Sequence, residues 1–351
     1  MNKKNIILFA DPDSIHTKKW VEGWSIVKYD TLVSGLSLNQ YDDITIFKAS
    51  IDKEGGNGKV FFKNIFKFRN ILNNYNPSII NAHYLTSYGL IAALIKRKDD
   101  VLIISLHGTD VMQTMDKNFI YLLMARYILN KCDILVSVSQ TMTRKLLQYF
   151  PYLEEKIITQ QYGFNIEQLD KFYTKHKSID VITNRGWVQN SNYEILLAAL
   201  EDLNISKVII GYDDSGYAKK LKDCFSSLEQ FILPQIPYEQ NLFLVAKSKI
   251  FVSFTTSDGT SLSILEAMYL GAIPIVTNLE TNREFIINGI NGFLVSIDQK
   301  DLMEKIRYVL SLSEKRLNIM REYNKNLIKE RFDMKKNFLR LEKKLQNIKK
   351  V

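Results

Sequence analysis

Asp258, Gly259, Thr260, Ser261, Leu262 and Glu266 fall within one short stretch of this 351-residue chain. Carboxylates can grip the hydroxyls of a polyol, and a loop of glycine and small hydroxyl residues can offer backbone amides to an anion. Glu266 is the more telling acid. Leu262, Ile264, Leu265, Ala267, Met268 and Leu270 surround it and leave a helix here almost no solvated face. An unpaired buried carboxylate costs on the order of several kcal/mol, so Glu266 needs a partner. Asp258 stands at the mouth of the loop before that helix. Two acids, several hydroxyls and a helix N-terminus together suit a sugar and a phosphate.

Four other places carry residues able to do chemistry. Arg185 follows an apolar run and precedes Gly186; its planar fork suits a diphosphate, or else pairs with an acid at the surface. His107-Gly108-Thr109-Asp110 follows an apolar run directly. A histidine there can give a hydrogen bond to a substrate hydroxyl or phosphate, or simply close the strand end. His16 falls in a first helical turn, either as a site residue or as a lone surface or core histidine. Asp11-Pro12-Asp13 offers an acid pair, but Pro12 holds both carboxylates on a turn, and Asp13 or Ser14 serves more simply as a helix cap. No metal is expected, because hard cations want more converging oxygens. Gly-x-Gly-x-x-Gly is absent after the first strand, so there is no dinucleotide fingerprint.

The elements that must hold these residues alternate. Strand-like apolar runs over 5–10, 44–47, 79–82, 101–106, 134–138 and 156–159 are separated by helical patterns over 17–24, 61–73, 88–95, 119–129 and 141–149. A second series follows, with strands over 180–183, 207–211, 231–234, 249–254, 273–277 and 292–295. Its helices are expected over 192–203, 217–227, 239–246, 261–270, 283–288 and 301–312, and the chain is helical and basic from 314 onward. Thr260 or Ser261 is suited to cap the helix of Glu266, and Gly271 to end it. The fold class is therefore α/β, with two doubly wound, Rossmann-like domains of parallel strands and ligands at the strands' carboxyl ends. The expected divisions are a first domain over 1–165, a linker over 166–179 and a second domain over 180–330. The segment over 331–351 is expected as a C-terminal helix.

Composition bounds the rest. A 46% hydrophobic and 24% charged chain of this length is globular and holds about two domains. No apolar stretch approaches the roughly 20 residues that span a bilayer. The N-terminus reads as a first strand rather than a signal peptide, and Cys132 and Cys224 as reduced structural thiols, so a cytoplasmic setting is expected. The net charge of +9 suits nucleic acid, an acidic membrane or an anionic substrate, or is only a basic surface. Over 59–72, Lys59, Lys63 and Lys67 recur beside Phe62 and Phe66. This face either lies on a membrane or packs on the first sheet with its lysines solvated.

At this point the residues resemble the retaining glycosyltransferases of family 4, which have the GT-B fold. The family signature is an acid, seven residues, Glu-Ala-Met, a glycine and a proline; here it stands as Asp258, Gly259 to Leu265, Glu266-Ala267-Met268, Gly271 and Pro274. Asn282-Arg283-Glu284 and the segment from Asn288 to Leu294 match its continuation. Ser14-Ile15-His16-Thr17, Asn81-Ala82-His83-Tyr84, His107-Gly108-Thr109-Asp110, Tyr162-Gly163-Phe164-Asn165 and Arg185 fall where the family has corresponding pieces. Two positions depart from it. The first acid is usually Glu, and a lysine usually stands where this chain has Asn190.

The resemblance implies two domains facing across a cleft, the first binding the acceptor and the second a nucleotide sugar, with the C-terminal helix over 331–351 crossing back to the first. It implies that Glu266 holds the ribose diol, Asp258 the donor sugar, and Arg185 the leaving diphosphate. Amides from Gly259, Thr260, Ser261 and Leu262 would meet the β-phosphate. His107 would touch the reacting sugar, and His16, Gly108 and Asp110 would lie on the acceptor side. No metal or other cofactor is implied; the nucleotide sugar is a co-substrate. The expected activity is retaining transfer from a UDP-sugar to a glycan or lipid-linked acceptor in cell-surface polysaccharide or glycoconjugate synthesis. The partners are that donor, that acceptor and an anionic membrane surface, with no nucleic acid. A sugar-nucleotide epimerase and a non-catalytic nucleotide-sugar-binding subunit are the alternatives.

Overall fold

The computed structural model describes residues 4–36, 47–49, 64–112, 115, 119–213 and 215–348. It divides into two compact units, Met1–Gly163 with Met334–Val351, and Phe164–Asp333.

In the first unit, β1 (Lys4–Phe9), β2 (Tyr29–Leu36), β3 (Phe47–Ala49), β4 (Ile79–His83), β5 (Val101–Ser105), β6 (Ile134–Ser137) and β7 (Ile157–Thr159) form one parallel sheet. Its order is β3-β2-β1-β4-β5-β6-β7. Parallel strands are covered on both faces, which is why every residue of β4 and β5 is buried. The sequence pattern misses β2, because Asp30, Thr31, Ser34 and Gly35 interrupt its apolar run. Gly35 is required there: an added Cβ would lie 1.8 Å from the Ala10 carbonyl oxygen. Of the expected 44–47 strand, residues 44–46 lie outside the described residues.

One face of this sheet is packed by Phe68, Leu72, Ile91, Ala125, Ile128 and Leu146 from successive helices. Against the helix Ile15–Ile26 lies the C-terminal helix Met334–Ile348, so the chain's end returns to the first unit. Phe338 packs edge-on to both Trp20 and Trp24, with ring centroids 5.2 Å away in each case. The ring fits because residue 23 is glycine; a Cβ there would come within 2.0 Å of it. Asn337 ties the helix to the segment after β7, its side-chain amide donating to the Gln161 carbonyl at 2.9 Å.

The second unit holds β8 (Ile179–Thr183), β9 (Lys207–Tyr212), β10 (Ile232–Pro234), β11 (Ser248–Ser253), β12 (Ile273–Thr277) and β13 (Phe293–Val295). All are parallel, in the order β10-β9-β8-β11-β12-β13, with an apolar core on each face. In both sheets the chain winds outward from one strand and then returns to its other side, at β1/β4 and at β8/β11. Such switch points open a crevice at the carboxyl ends of the strands.

Three expectations change here. Residues 166–179, expected as a linker, carry the helix Ile166–Asp170, and Leu169 is buried in the second unit's core. The segment expected as a helix over 283–288 makes only one 3-10 turn, Asn282–Glu284, because Asn291 accepts the Ile287 amide and donates to the Phe285 carbonyl. Cys132 is buried, but Cys224 is exposed at the end of the helix Gly216–Cys224, so only the former reads as a core thiol.

Candidate active site

In the second unit, the loop after β11 leads into the helix Leu262–Tyr269. That helix ends in a Schellman turn, with Gly271 at φ +83°, the Gly271 amide on the Met268 carbonyl and the Ala272 amide on that of Ala267. At its start, Ser261 occupies the N-cap, yet its hydroxyl does not cap the helix. It accepts instead from Arg185 Nη1 at 3.0 Å and lies 3.2 Å from the Ser263 hydroxyl. The first helical amides therefore have no side-chain cap, and they carry the positive end of the helix dipole.

Arg185 reaches this point from the carboxyl end of β8. Its backbone carbonyl accepts the Tyr193 hydroxyl at 2.7 Å, and Gly211, at φ +101°, leaves room for that carbonyl. Its Nη2 lies 2.9 Å from Asp258 Oδ2, a close ion pair that is off the best hydrogen-bond direction. Burial pushes the Asp258 carboxyl above its ordinary range, and Arg185 opposes that shift. Asp258 thus rests on the guanidinium rather than standing clear of it.

Asn190 holds the loop that carries Asp258. Its Oδ1 accepts from the Thr256 hydroxyl at 2.8 Å and the Ser257 amide at 3.0 Å, while its Nδ2 donates to the Ser257 carbonyl at 2.9 Å. Its backbone carbonyl accepts the Thr256 amide at 2.9 Å. At the position where the resemblance leads one to expect a lysine, this chain has a clamp.

Glu266 projects from the second turn of the same helix and is 9% exposed. Its Oε1 accepts the Tyr238 hydroxyl at 2.5 Å, so a phenol from the helix Tyr238–Ala246 supplies a partner that the sequence leaves unnamed.

In the first unit, the carboxyl ends of β1, β4 and β5 bring three histidines together. His16 lies in the first turn of Ile15–Ile26, which Ser14 caps by accepting the His16 amide at 3.2 Å. His83 closes β4, and His107 follows β5. The ring centroids of His107 lie 5.2 Å from His16, 4.5 Å from His83 and 4.8 Å from Tyr84. His16 Nδ1 is 2.9 Å from the Tyr162 hydroxyl. Burial lowers the pKa of all three, that of His107 to about 3 with His16 adding to the effect. Each is therefore neutral at pH 7. The Nε2 atoms of His83 and His107 are buried without a hydrogen-bond partner among the described residues.

Asp110, expected on the acceptor side, shapes the loop after β5. Oδ1 accepts the Gly108 and His107 amides at 3.0 and 3.4 Å, and Oδ2 accepts the Leu85 amide at 3.1 Å. The carboxylate is buried and its oxygens are engaged by backbone, because Gly108 at φ +125° turns the chain back over it. Sequence reasoning missed Tyr238, Ser263 and the clamping role of Asn190, and left His83 out of the site. Only His83 had a signal, a histidine at a strand end like His107.

The sequence matches the family description Glycosyl transferase 4-like over residues 5–139 and Glycosyl transferases group 1 over residues 166–327. Those two matches take in most of the chain, which belongs to this glycosyltransferase family. An uncharacterized glycosyltransferase of Methanocaldococcus jannaschii is 24% identical over 314 residues, covering 86% of each chain. Among solved structures, sucrose-phosphate synthase from Thermosynechococcus elongatus matches with a TM-score of 0.79 at 14% identity, over 98% of this chain and 99% of that one. HepE of Anabaena, in complex with UDP and glucose, matches at 0.78 and 16% identity, over 98% and 100%. The fold is GT-B, built of two Rossmann-like domains.

Proposed function

We propose that this protein transfers a sugar from a UDP-sugar to a glycan or lipid-linked acceptor, with retention of the anomeric configuration and without a bound metal. The observation that carries the reading is the meeting of Arg185, Asp258, the uncapped start of Leu262–Tyr269 and Glu266 at one switch point. HepE, a protein of the same fold, is seen with UDP and glucose. A diphosphate arriving here competes with Asp258 for Arg185, and the displaced carboxylate becomes available to sugar hydroxyls. The helix amides take the β-phosphate, and Glu266 the ribose diol. Arg185 and those amides supply the positive field that a metal supplies elsewhere. His107, being neutral, gives a hydrogen bond to the reacting sugar, with His16 beside it toward the acceptor. Front-face departure of the diphosphate would let its own oxygen take the acceptor's proton.

The basic balance of the chain suits work at the cytoplasmic face of an anionic membrane, in the synthesis of cell-surface polysaccharide or glycoconjugate. No described helix is long and apolar enough to cross a bilayer. In the expected 59–72 face, residues 59–63 lie outside the described residues. Of the rest, Phe68 and Leu72 pack on the sheet while Phe66 is exposed.

The test is titration with UDP, GDP and their sugars by melting temperature, followed by NMR of the product's anomeric proton and turnover in EDTA. A bound donor at one hundred times its Kd adds about 2.7 kcal/mol of stability. Absence of any shift would remove the donor site. An inverted product would remove the retaining reaction, and loss of turnover in EDTA the metal-free one. Sugar-nucleotide turnover without acceptor would favour an epimerase.

A further inference from the structure

Four helices, Ile65–Tyr75, Ser87–Ile95, Phe119–Lys131 and Gln140–Tyr149, contribute to one core on one face of the first sheet. None contains an Asp or Glu, in a chain that has 38. They carry Lys67, Arg69, Arg126, Lys131, Arg144 and Lys145. The described acids between residues 64 and 149 lie off these helices. Asp100 pairs with Arg97, Asp133 pairs with Lys96, Asp110 is buried, and Asp99 sits in a turn.

The outward side of the face is apolar as well as basic. Phe119 and Ile120 are 72% and 73% exposed, and Leu123 and Tyr127 continue the same stripe one and two turns further along. Phe66 on Ile65–Tyr75 and Leu94 on Ser87–Ile95 are exposed too. Scattered exposed leucines need no explanation; a stripe of four on one acid-free helix, among three other helices without an acid, does. Large side chains on an outer stripe with cations around them match the chemistry of an anionic bilayer interface, where the apolar groups enter the headgroup boundary and the cations meet lipid phosphates.

We infer that this four-helix face, centred on Phe119, Ile120 and Leu123, seats the protein on the surface of an anionic lipid bilayer. The inference deepens the functional reading above: the unit that carries the histidine cluster lies on the membrane, and the acceptor is a lipid-linked glycan. It rests on that reading for its biological sense but not for its test.

The experiment is co-sedimentation of the full chain with vesicles of phosphatidylglycerol and phosphatidylcholine mixed one to one, and of phosphatidylcholine alone, at low and high salt. The wild type should bind the mixed vesicles and release with salt. Ile120→Glu with Leu123→Glu should abolish binding. Lys67→Gln with Arg126→Gln and Lys131→Gln should weaken it about 100-fold, since each cation near an anionic surface contributes about five-fold. Each variant is also melted with and without UDP, so that a folding defect or a failed donor site registers separately. Failure of the wild type to bind mixed vesicles, or equal binding by the glutamate variant, overturns the inference and leaves the donor site untouched. A wild type that is dimeric in size-exclusion light scattering, with Ile120→Glu/Leu123→Glu monomeric, would assign the face to a second copy and overturn it as well.

Discussion

Glu266→Gln separates a ligand-holding carboxylate from a structural one. Glu266 lies on a helix whose Ile264, Leu265, Ala267, Met268 and Tyr269 are all buried, and Oε1 accepts the Tyr238 hydroxyl. Glutamine has the same shape and keeps a carbonyl oxygen for Tyr238, but carries no charge. Removing a buried charge lowers the desolvation cost of the fold, so the melting temperature should hold or rise by a few degrees. Donor binding should move the other way. A hydrogen bond to a charged group is worth about 1.5–3 kcal/mol, and losing one to a ribose hydroxyl weakens UDP by about 10- to 150-fold. Calorimetric titration with UDP and a thermal melt of the same sample give both numbers. An unchanged UDP affinity would remove Glu266 from the donor site. A melting temperature that falls in step with affinity would reduce it to a structural role.

Three further outcomes follow from the geometry. The lowered pKa values of His16, His83 and His107 mean that the unfolded chain binds protons the folded chain refuses. Their contribution is therefore complete above pH 6.5 and is lost as pH falls, by about 1.4 kcal/mol per pH unit for each histidine still neutral in the fold. Urea unfolding at pH 7, 6 and 5 should show a slope shallower by about that amount in His107→Asn, and an equal slope would contradict the neutral assignment. Asn190→Ala removes the side-chain bonds that hold residues 256 and 257; it should raise the donor KM about 5- to 20-fold, on the order of 1–2 kcal/mol, with the global melt little changed. An unaltered KM would mean that the clamp does not set the position of Asp258. Gly23→Ala drives a methyl into the Phe338 ring, which Trp20 and Trp24 hold in place. It should cost about 1–3 kcal/mol in urea unfolding by overpacking, and a neutral effect would show that the C-terminal helix can shift.

What the sequence made legible depended on how local the cause was. The strands of both sheets are short apolar runs bounded by turn residues, and these declare themselves because a parallel sheet buries both faces. β2 did not, since its composition answers to a backbone contact at Ala10 that no local pattern encodes. The proposed donor constellation was legible for the same local reason: Asp258, Ser261 and Glu266 share one loop and one helix, and their spacing is their geometry. Their partners were not. Tyr238 is 28 residues from Glu266 and Asn190 is 67 from Ser257, and only the sheet order β10-β9-β8-β11 brings their elements to the same edge.

That distinction bears on how the two departures from the family should be read. In sequence, Asn190 looked like a missing positive charge and Asp258 like a shortened glutamate, two separate losses at one site. In the structure they are parts of one arrangement. Asn190 fixes the loop from Thr256 to Ser257, and the next residue, Asp258, meets Arg185 at 2.9 Å. Restoring the family's lysine at 190 would therefore add a charge and remove the clamp at once, releasing the loop that holds Asp258 against Arg185. The two positions should be exchanged together or not at all. In a double-mutant cycle of Asn190→Lys and Asp258→Glu read by UDP affinity, residues in one hydrogen-bonded network should deviate from additivity by about 0.5–3 kcal/mol. Additive effects would mean that the clamp and the acid act independently, and that the second cation is simply absent.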